Sequence, residues 1–182
     1  MKNLIMICAL VLIGQVAKAG GFIEPYLGYA TGKVEATVAA GVPVIGGQSF
    51  DFKVKGPIYG LRAGYQFILP WVALEASQFK GETDQDPSGD IKGTDIGVTA
   101  GLSLPIVRPY AGYVLSSKYE SDSSEITGNG IKVGVGFGFI PLVHVNIEYI
   151  TTTFKELDGE DISSVFSDYK SKTTAFTISY VF

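Results

Sequence analysis

The sequence has little that a helical membrane protein, a disulfide-bonded domain or a nucleic-acid-binding protein would need. It contains one cysteine, Cys8, which lies in a segment that we expect to be removed, so no disulfide is predicted. Beyond Ala19 no apolar run approaches the roughly 20 residues that a membrane-spanning helix requires. The net charge of −4 is mildly acidic and no basic patch is present, which argues against a nucleic-acid partner.

Residues 1–19 have the pattern of a cleavable secretory signal peptide. Lys2 supplies the charge, Leu4–Ile13 forms a short apolar run, and Ala17-Lys18-Ala19 provides small residues for cleavage. The run has about half the length that a membrane anchor needs. We therefore predict a helical signal peptide over residues 1–19, export through the Sec pathway, and one mature domain over residues 20–182.

The mature chain alternates apolar and polar residues, and this period of two is typical of strands with two different faces. The alternating segments are Gly21–Lys33, Pro57–Leu69, Val72–Ser77, Thr94–Leu104, Val107–Ser116, Gly130–Phe139, Val143–Tyr149 and Lys172–Phe182. An alternating chain that lies in a membrane must close on itself, because lipid cannot satisfy free backbone hydrogen bonds. The predicted fold class is all-β, an eight-stranded antiparallel up-and-down transmembrane β-barrel.

The last strand carries a recognisable signature. Phe176, Ile178 and Tyr180 precede a C-terminal Phe182 at intervals of two residues, all on one face. This pattern resembles the C-terminal signature of bacterial outer-membrane β-barrels. That resemblance implies that these four residues act as a membrane-assembly signal and that the barrel-assembly machinery is a partner during insertion.

The whole mature chain resembles the family of small OmpA-like and OmpX-like barrels. Two related segments carry this resemblance, EPYLGY at Glu24–Tyr29 and RPYAGY at Arg108–Tyr113, which lie four strands apart and are expected to face each other across the barrel. The resemblance implies a location in the outer membrane of a Gram-negative bacterium, with lipid, lipopolysaccharide and possible host or surface ligands as partners. It implies an envelope or surface-interaction protein rather than an enzyme.

The connections are predicted to alternate in length. Pro70, Pro105 and Pro141 mark short turns at intervals of 35 and 36 residues, which indicates a repeated hairpin. The first of these turns is predicted to consist of Pro70 and Trp71. Long polar loops are expected between the short turns, at residues 33–56, 80–93, 117–129 and 155–171. Barrels of the outer membrane place short turns in the periplasm and long loops outside the cell.

Aromatic residues distinguish a membrane barrel from the alternative, a soluble sandwich or lipocalin-like barrel with its apolar face inside. Two girdles are expected at the membrane interfaces. The predicted outer girdle consists of Tyr29, Tyr59, Tyr113 and Tyr149, and the predicted periplasmic girdle consists of Phe67, Trp71, Phe139, Tyr180 and Phe182.

The face opposite the apolar one collects the charged residues and forms a predicted interior network. Its members are Glu24, Arg62, Gln66, Glu75, Asp95, Arg108, Lys132, His144, Asn146 and Glu148, with Tyr26 and Tyr110 between them. Unpaired buried charges are strongly unfavourable, so we expect Arg62 to engage Glu75 or Glu148 and Arg108 to engage Glu24 or Glu75. An eight-stranded barrel is just wide enough for side chains to fill. The network is therefore interpreted as a structural plug rather than a gated pore or proton path.

The alternation assigns five further residues to the inward face of their strands. Ser116 is expected to face inward. Phe79, Ile140, Ile150 and Phe154 also have inward parity although they are apolar, and a bulge or the membrane interface could reverse them.

No catalytic, cofactor or metal site is predicted. Barrel enzymes that modify lipid A include a group with a His-x-Ser arrangement, whereas the corresponding stretch here is His144-Val145-Asn146, without a nucleophile. The acidic residues at Asp158–Asp161, with Asp84, Asp86 and Asp90, are interpreted as solvated loop charge rather than a divalent-cation site.

The first long loop is unusually apolar from Val34 to Phe50. Exposed apolar patches commonly mark contact sites. The segment could extend the first two strands, fold over the barrel mouth or meet a hydrophobic ligand. The last possibility is the alternative function, a small pore or a carrier of small hydrophobic molecules that resembles OmpW.

Overall fold

A computed structural model describes residues 19–39, 47–84, 90–121, 124–140, 142–162 and 165–182. Its strands are β1 (Gly20–Val38), β2 (Ser49–Gln66), β3 (Pro70–Thr83), β4 (Asp90–Leu102), β5 (Val107–Ser121), β6 (Ser124–Ile140), β7 (Val143–Leu157), β8 (Glu160–Asp161) and β9 (Phe166–Tyr180). The predicted signal peptide up to residue 18 lies outside the described residues, as do Asp86 and Pro141. In these described ranges no helix is long and apolar enough to cross a membrane.

Eight of the strands form a closed antiparallel barrel, which confirms the predicted fold class. Each long strand pairs with the next along the chain, from β1 to β7. Strand β7 then pairs with β9, and β9 pairs with β1, so the sheet has no free edge. The chain end completes the closure, since the amide of Phe182 donates to the carbonyl of Ile23 at 2.9 Å. The two-residue β8 pairs only with the end of β7.

The outer surface is an apolar belt, as the alternation predicts. Leu27 and Leu74 are each 67% exposed, and the apolar face of β9 lies on the same surface. All four tyrosines of the predicted outer girdle are exposed there. Phe67, Tyr180 and Phe182 are exposed at the other end of the belt. Apolar and aromatic side chains cover this surface because it faces hydrocarbon in a membrane barrel.

Trp71 does not belong to the girdle where the sequence placed it. Its side chain is 2% exposed and lies inside the barrel. The turn covers residues 67–69 and β3 begins at Pro70, so Trp71 takes the inward parity of Ala73 and Glu75. The prediction treated Trp71 as a turn residue and therefore missed its side of the wall. Phe139 is another predicted member of this girdle, and its side chain is not part of the described structure.

Two ladder irregularities explain other errors of parity. The β5–β6 register shifts between Val114 and Ser117, so Ser116 is exposed and Ser117 is fully buried. The prediction that Ser116 faces inward is wrong, because a bulge inserts one residue before it. A second shift, next to Ile140, leaves that residue 63% exposed.

The strands continue well beyond the apolar belt at the end opposite the short turns, called here the loop end. Strands β1 and β2 remain paired as far as Thr37 and Ser49, and β5 and β6 as far as Ser121 and Ser124. The predicted long loops are therefore wrong in extent, because most of their residues are in paired strands. Of the three possibilities for the apolar first loop, its described part extends the first two strands. The remainder, residues 40–46, lies outside the described residues.

The interior has three layers along the barrel axis. Phe22, Trp71 and Ala73 pack near the short turns, together with Tyr110. Charged residues occupy the middle. Towards the loop end an apolar cluster fills the lumen, formed by Ala30, Val34, Val54, Ile58, Phe79, Phe154 and Ala175. Phe79, Ile150 and Phe154 thus keep their inward parity, because the barrel interior becomes apolar above the charged layer.

The membrane belt predicts the effect of a charge at its centre. Leu74→Lys should lower the free energy of unfolding by about 2–4 kcal/mol, because the ammonium group would face hydrocarbon near the midplane. Phe50→Lys is the control, since Phe50 is also exposed but lies on the strand extension beyond the belt. Urea unfolding in lipid vesicles measures both. Equal losses for the two variants would contradict the position of the belt.

Candidate functional site

The charged residues of the predicted interior network meet in the middle of the barrel. Glu24, Arg62, Asn146 and Glu148 are 0% exposed. Arg108, Lys132 and Glu75 are also buried, whereas Gln66, Asp95 and His144 are half-buried. Each of these residues has the inward parity of its strand, so closing the sheet turns all of them towards one axis.

Arg62 is the centre of the network. Its Nη1 donates to Glu24 Oε1 at 3.0 Å, and its Nη2 donates to Glu75 Oε1 at 3.3 Å. The same Nη2 also contacts Glu148 Oε1. One guanidinium therefore joins carboxylates from three strands, β1, β3 and β7. Its rigid planar fork suits this arrangement better than the single point charge of a lysine.

Lys132 and Arg108 complete the charge balance. Lys132 Nζ lies 2.7 Å from Glu75 Oε1 and 3.2 Å from Glu148 Oε2. Arg108 Nη1 donates to Glu24 Oε2 at 2.5 Å. Three cations and three carboxylates therefore neutralise one another in a dry interior. Charges taken out of water need such pairing, since removing one partner leaves an uncompensated charge.

Two tyrosines hold the central guanidinium between them. The Cζ of Arg62 lies 4.7 Å from the ring centre of Tyr26 and 4.8 Å from that of Tyr110. Their hydroxyls donate to Glu75 Oε1 at 2.6 Å and to Glu148 Oε1 at 2.7 Å. Cation–π contact and charge-assisted hydrogen bonds thus act on the same groups.

Glycines opposite the tyrosines make room for these rings. A Cβ at Gly60 would stand 2.5 Å from the Tyr26 ring, and a Cβ at Gly134 would stand 2.5 Å from the Tyr110 ring. Tyr26 is paired with Gly60, and Tyr110 is paired with Gly134, in the β-ladders. The EPY and RPY segments therefore place equivalent tyrosines on opposite walls, as their spacing predicts.

Sequence reasoning missed two contributors to the network. Thr99 Oγ1 donates to Glu75 Oε2 at 2.7 Å. The Cζ of Arg108 lies 4.1 Å from the ring centre of Trp71, which covers the network on the side of the short turns. The inward parity of Thr99 was visible in the sequence, but a threonine at such a position carries no signal that distinguishes it from filler.

Three predicted members stand apart from the ion pairs. Asp95 accepts a hydrogen bond from Ser117 Oγ at 2.6 Å, and Gln66 Oε1 accepts one from Ser103 Oγ at 3.3 Å. Asn146 Nδ2 lies 3.2 Å from Thr177 Oγ1 and 3.1 Å from Ser179 Oγ. These residues satisfy polar groups locally and join neighbouring strands.

His144 lies opposite Ser179 in the β7–β9 ladder. The search for a His-x-Ser arrangement considered residues of one strand only and therefore does not detect this serine on the neighbouring strand. The Ser179 hydroxyl is engaged by Asn146, and no hydrogen bond between Ser179 and His144 is found in the described part of the chain. Both side chains face the interior, where Ser179 is 2% exposed. A nucleophile needs a base within hydrogen-bonding reach and an accessible substrate.

The space left beside the network is small. A cavity lined by Glu75, Asp95, Thr99 and Lys132 has a volume of about 10 Å³. That is room for about one water molecule.

The loop end of the lumen is wider and apolar. A cup of about 410 Å³ opens above the apolar cluster, lined among others by Phe52, Ile91, Tyr119, Phe154 and Tyr169. Tyr119 and Phe154 stack edge-to-face with centroids 5.5 Å apart, and Phe154 and Tyr169 lie 5.1 Å apart. The charged layer lies beneath the cup.

The acidic residues of the loop end do not form a metal centre within the described ranges, where no group of three or more His, Cys, Asp or Glu side chains could hold an ion. Asp84 Oδ1 accepts the Lys53 amide hydrogen at 2.8 Å, and Asp158 Oδ1 accepts that of Glu125 at 2.7 Å. These two carboxylates therefore satisfy backbone amides of neighbouring strands.

Comparison with known proteins gives a family and two similar folds. Residues 5–182 match the family described as outer membrane protein beta-barrel domain. No curated protein matches the sequence. The crystal structure of Neisserial surface protein A (NspA) is 19% identical, with a TM-score of 0.55, covering 90% of this chain and 98% of that one. Ail, the attachment invasion locus protein of Yersinia pestis, in complex with the heparin analogue sucrose octasulfate, is 18% identical, with a TM-score of 0.55, covering 89% and 99%. At these identities the likeness shows the fold.

The ion pair between Glu24 and Arg108 predicts a non-additive mutational effect. Glu24→Gln and Arg108→Met should each lower the free energy of unfolding by about 3–5 kcal/mol, because each leaves one buried charge uncompensated. Glu24→Gln removes the carboxylate that Arg108 contacts, and Arg108→Met leaves Glu24 with Arg62 alone. The double variant keeps the interior neutral, so its loss should be well below the sum of the two. A double-mutant cycle by urea unfolding in vesicles measures this coupling. Simple additivity would contradict a direct interaction.

Proposed function

The chain belongs to the outer membrane protein beta-barrel domain family, and on that premise we propose that it is a closed barrel of the outer membrane that acts in envelope structure or surface interaction. The protein resides in the outer membrane of a Gram-negative bacterium. Its loop end faces outward, as is general for such barrels. Its mature part is residues 20–182, inserted by the barrel-assembly machinery, and it is not an enzyme.

The packing of buried, paired side chains in the middle of the barrel is the observation that carries this proposal. Six ionised side chains and two tyrosines fill the middle of the barrel, and the adjoining cavity measures about 10 Å³. A small barrel filled by side chains serves as a membrane anchor for what it displays outside. The interior polar network is therefore structural.

The strand extensions provide the displayed surface. They project beyond the belt as paired β-structure and carry exposed ion pairs, such as Lys172 with Glu35 at 2.7 Å and Lys118 with Glu125 at 2.7 Å. The two similar barrels bear names that refer to the cell surface and to attachment. This likeness supports a host or surface ligand as a partner of the extensions, because binding residues concentrate at the outer ends of a rigid scaffold.

A second function is supported by the apolar cup. Its volume of about 410 Å³ and its aromatic lining suit a small hydrophobic molecule. A carrier that resembles OmpW would receive such a molecule at the cup and release it sideways, since the charged layer blocks the direct path.

A conductance measurement tests the closed lumen. The purified wild-type protein should show no discrete channel steps in a planar lipid bilayer, because the charged layer leaves no continuous water path. A variant in which Arg62, Glu75 and Glu148 are replaced by alanine should conduct if it folds, since these side chains occupy the axis. Discrete conductance steps from the wild-type protein would be sufficient to overturn the proposal.

Uptake of an apolar solute tests the second function. Deleting Val38–Ile45 removes most of the apolar part of the first long loop. A carrier should lose uptake into cells or vesicles after this deletion, whereas a structural barrel should show the same slow uptake with and without the segment. Phe52→Ser provides a point variant in the cup with the loop intact, and unchanged uptake in both variants removes the carrier function.

A further inference from the structure

We propose that Lys55, Lys80 and Lys92 form a phosphate-binding site on the outer wall of the barrel, which takes the phosphorylated headgroup of lipopolysaccharide. The inference rests on the membrane position and orientation proposed above. It does not depend on whether the lumen is closed.

A groove on the outer wall contains all three lysines. It has a volume of about 390 Å³ and is lined among others by Tyr29 and Pro57. This volume is within the range of about 300–1,000 Å³ that ligand sites occupy. The groove lies where the β2–β3 ladder is interrupted, since paired positions are found at Lys55 and Ile58 but not at the two residues between them. Pro57 has no amide hydrogen to donate, so it favours this break.

Two of the three lysines oppose each other, whereas Lys55 lies opposite Glu82 in the β2–β3 ladder. Lys80 and Lys92 are directly paired across β3 and β4, and both are exposed. Like charges in this position destabilise a sheet. No carboxylate among the described residues forms an ion pair with Lys55, Lys80 or Lys92. A bound anion would remove the repulsion between Lys80 and Lys92.

Four other lysines of the strand extensions form ion pairs with carboxylates, namely Lys33, Lys118, Lys170 and Lys172. Lys33 and Lys53 are also directly opposed, but Lys33 lies 3.4 Å from both Glu35 and Asp51. The hydrogen bonds with Asp51 and Glu35 raise the pKa of Lys33 above its ordinary value. Lys118 lies 3.1 Å from Glu120, the residue that faces Lys92 in the β4–β5 ladder. The carboxylate nearest to Lys92 in register is therefore engaged elsewhere.

The acidic residues of the groove lie farther from the membrane than Lys80 and Lys92, and Glu82 is at the level of Lys55. Glu82 and Asp90 are paired with each other two residues beyond Lys80 and Lys92 along their strands. The lysine pair thus lies nearer the belt, and the two carboxylates lie farther out. This order of charge fits a ligand that approaches from the lipid side.

The location identifies the source of the phosphate. Tyr29 lines the groove and is also a member of the outer aromatic girdle. Aromatic girdles lie at the level of lipid headgroups. A phosphate held just above this level and outside the barrel belongs to a lipid of the outer leaflet, and in the outer membrane that lipid is lipopolysaccharide. Lysine ammonium groups bind phosphate as point charges.

Titration with lipid A tests the site. The wild type, a Lys55→Gln, Lys80→Gln, Lys92→Gln variant and a control with Lys33→Gln, Lys118→Gln and Lys172→Gln are purified in detergent. Heat-dependent gel mobility first establishes that each is folded. Native mass spectrometry then counts bound lipid A that carries its phosphates, or lipid A from which they have been removed. The control loses the same charge from lysines that already have carboxylate partners.

The site variant should bind phosphorylated lipid A about tenfold more weakly than the wild type, the effect of losing about one charge-assisted contact. It should bind no better than the wild type binds the dephosphorylated lipid, and the control should remain close to the wild type. Inorganic phosphate should compete only in large molar excess.

Equal binding by the site variant and the wild type, or an equal loss in the control, would overturn the site. Displacement of lipid A by an equimolar amount of inorganic phosphate would also overturn it, in favour of a free-phosphate site. Conductance of the same samples separates the two proposals. A wild type that binds phosphorylated lipid A selectively but conducts retains this site and contradicts only the closed lumen.

Discussion

The ion pairs around Arg62 are the interaction on which the rest of the barrel depends. An arginine in a dry lumen is stable only when carboxylates surround it, and here Glu24, Glu75 and Glu148 reach it from three different strands. Each contact is possible only when the sheet is closed in one register, because a shift of one residue would turn a charge towards lipid. The network therefore fixes the register, and under the proposed function the same side chains close the lumen.

The EPY and RPY segments show how a repeated hairpin can produce this network. Both segments place a tyrosine inward opposite a glycine, and the two rings hold the same guanidinium from opposite walls. The equivalence does not extend to the residues two positions before the tyrosines. Glu24 is opposite Arg62 of β2, whereas Arg108 is opposite Gly136 of β6. The glycine leaves space on one side of the lumen, and Arg62 supplies the charge from the other. A symmetric pair of arginines would leave the interior with excess positive charge.

Alternation in the sequence was sufficient to predict eight strands, the lipid-facing side of each and the charged members of the interior. It was not sufficient to predict what each inward residue would meet. Phe79 and Phe154 lie inside because the lumen becomes apolar beyond the charged layer, and parity carries no information about height along the axis. Ser116 is on the wrong side because a bulge changes the period by one residue. Trp71 was assigned to a turn, although β3 begins one residue before it.

Cysteine accessibility in lipid vesicles tests the closed lumen most directly. The only native cysteine lies in the predicted signal peptide, so a single cysteine can report on one position of the mature chain. Cysteine in place of Thr99, which contacts Glu75 in the charged layer, is compared with cysteine in place of the exposed Lys92. The account predicts that a water-soluble thiol reagent, added on either side of the membrane, modifies position 99 orders of magnitude more slowly than the same reagent modifies position 92 when it is added on the side of the loop end. Comparable rates at the two positions would contradict it.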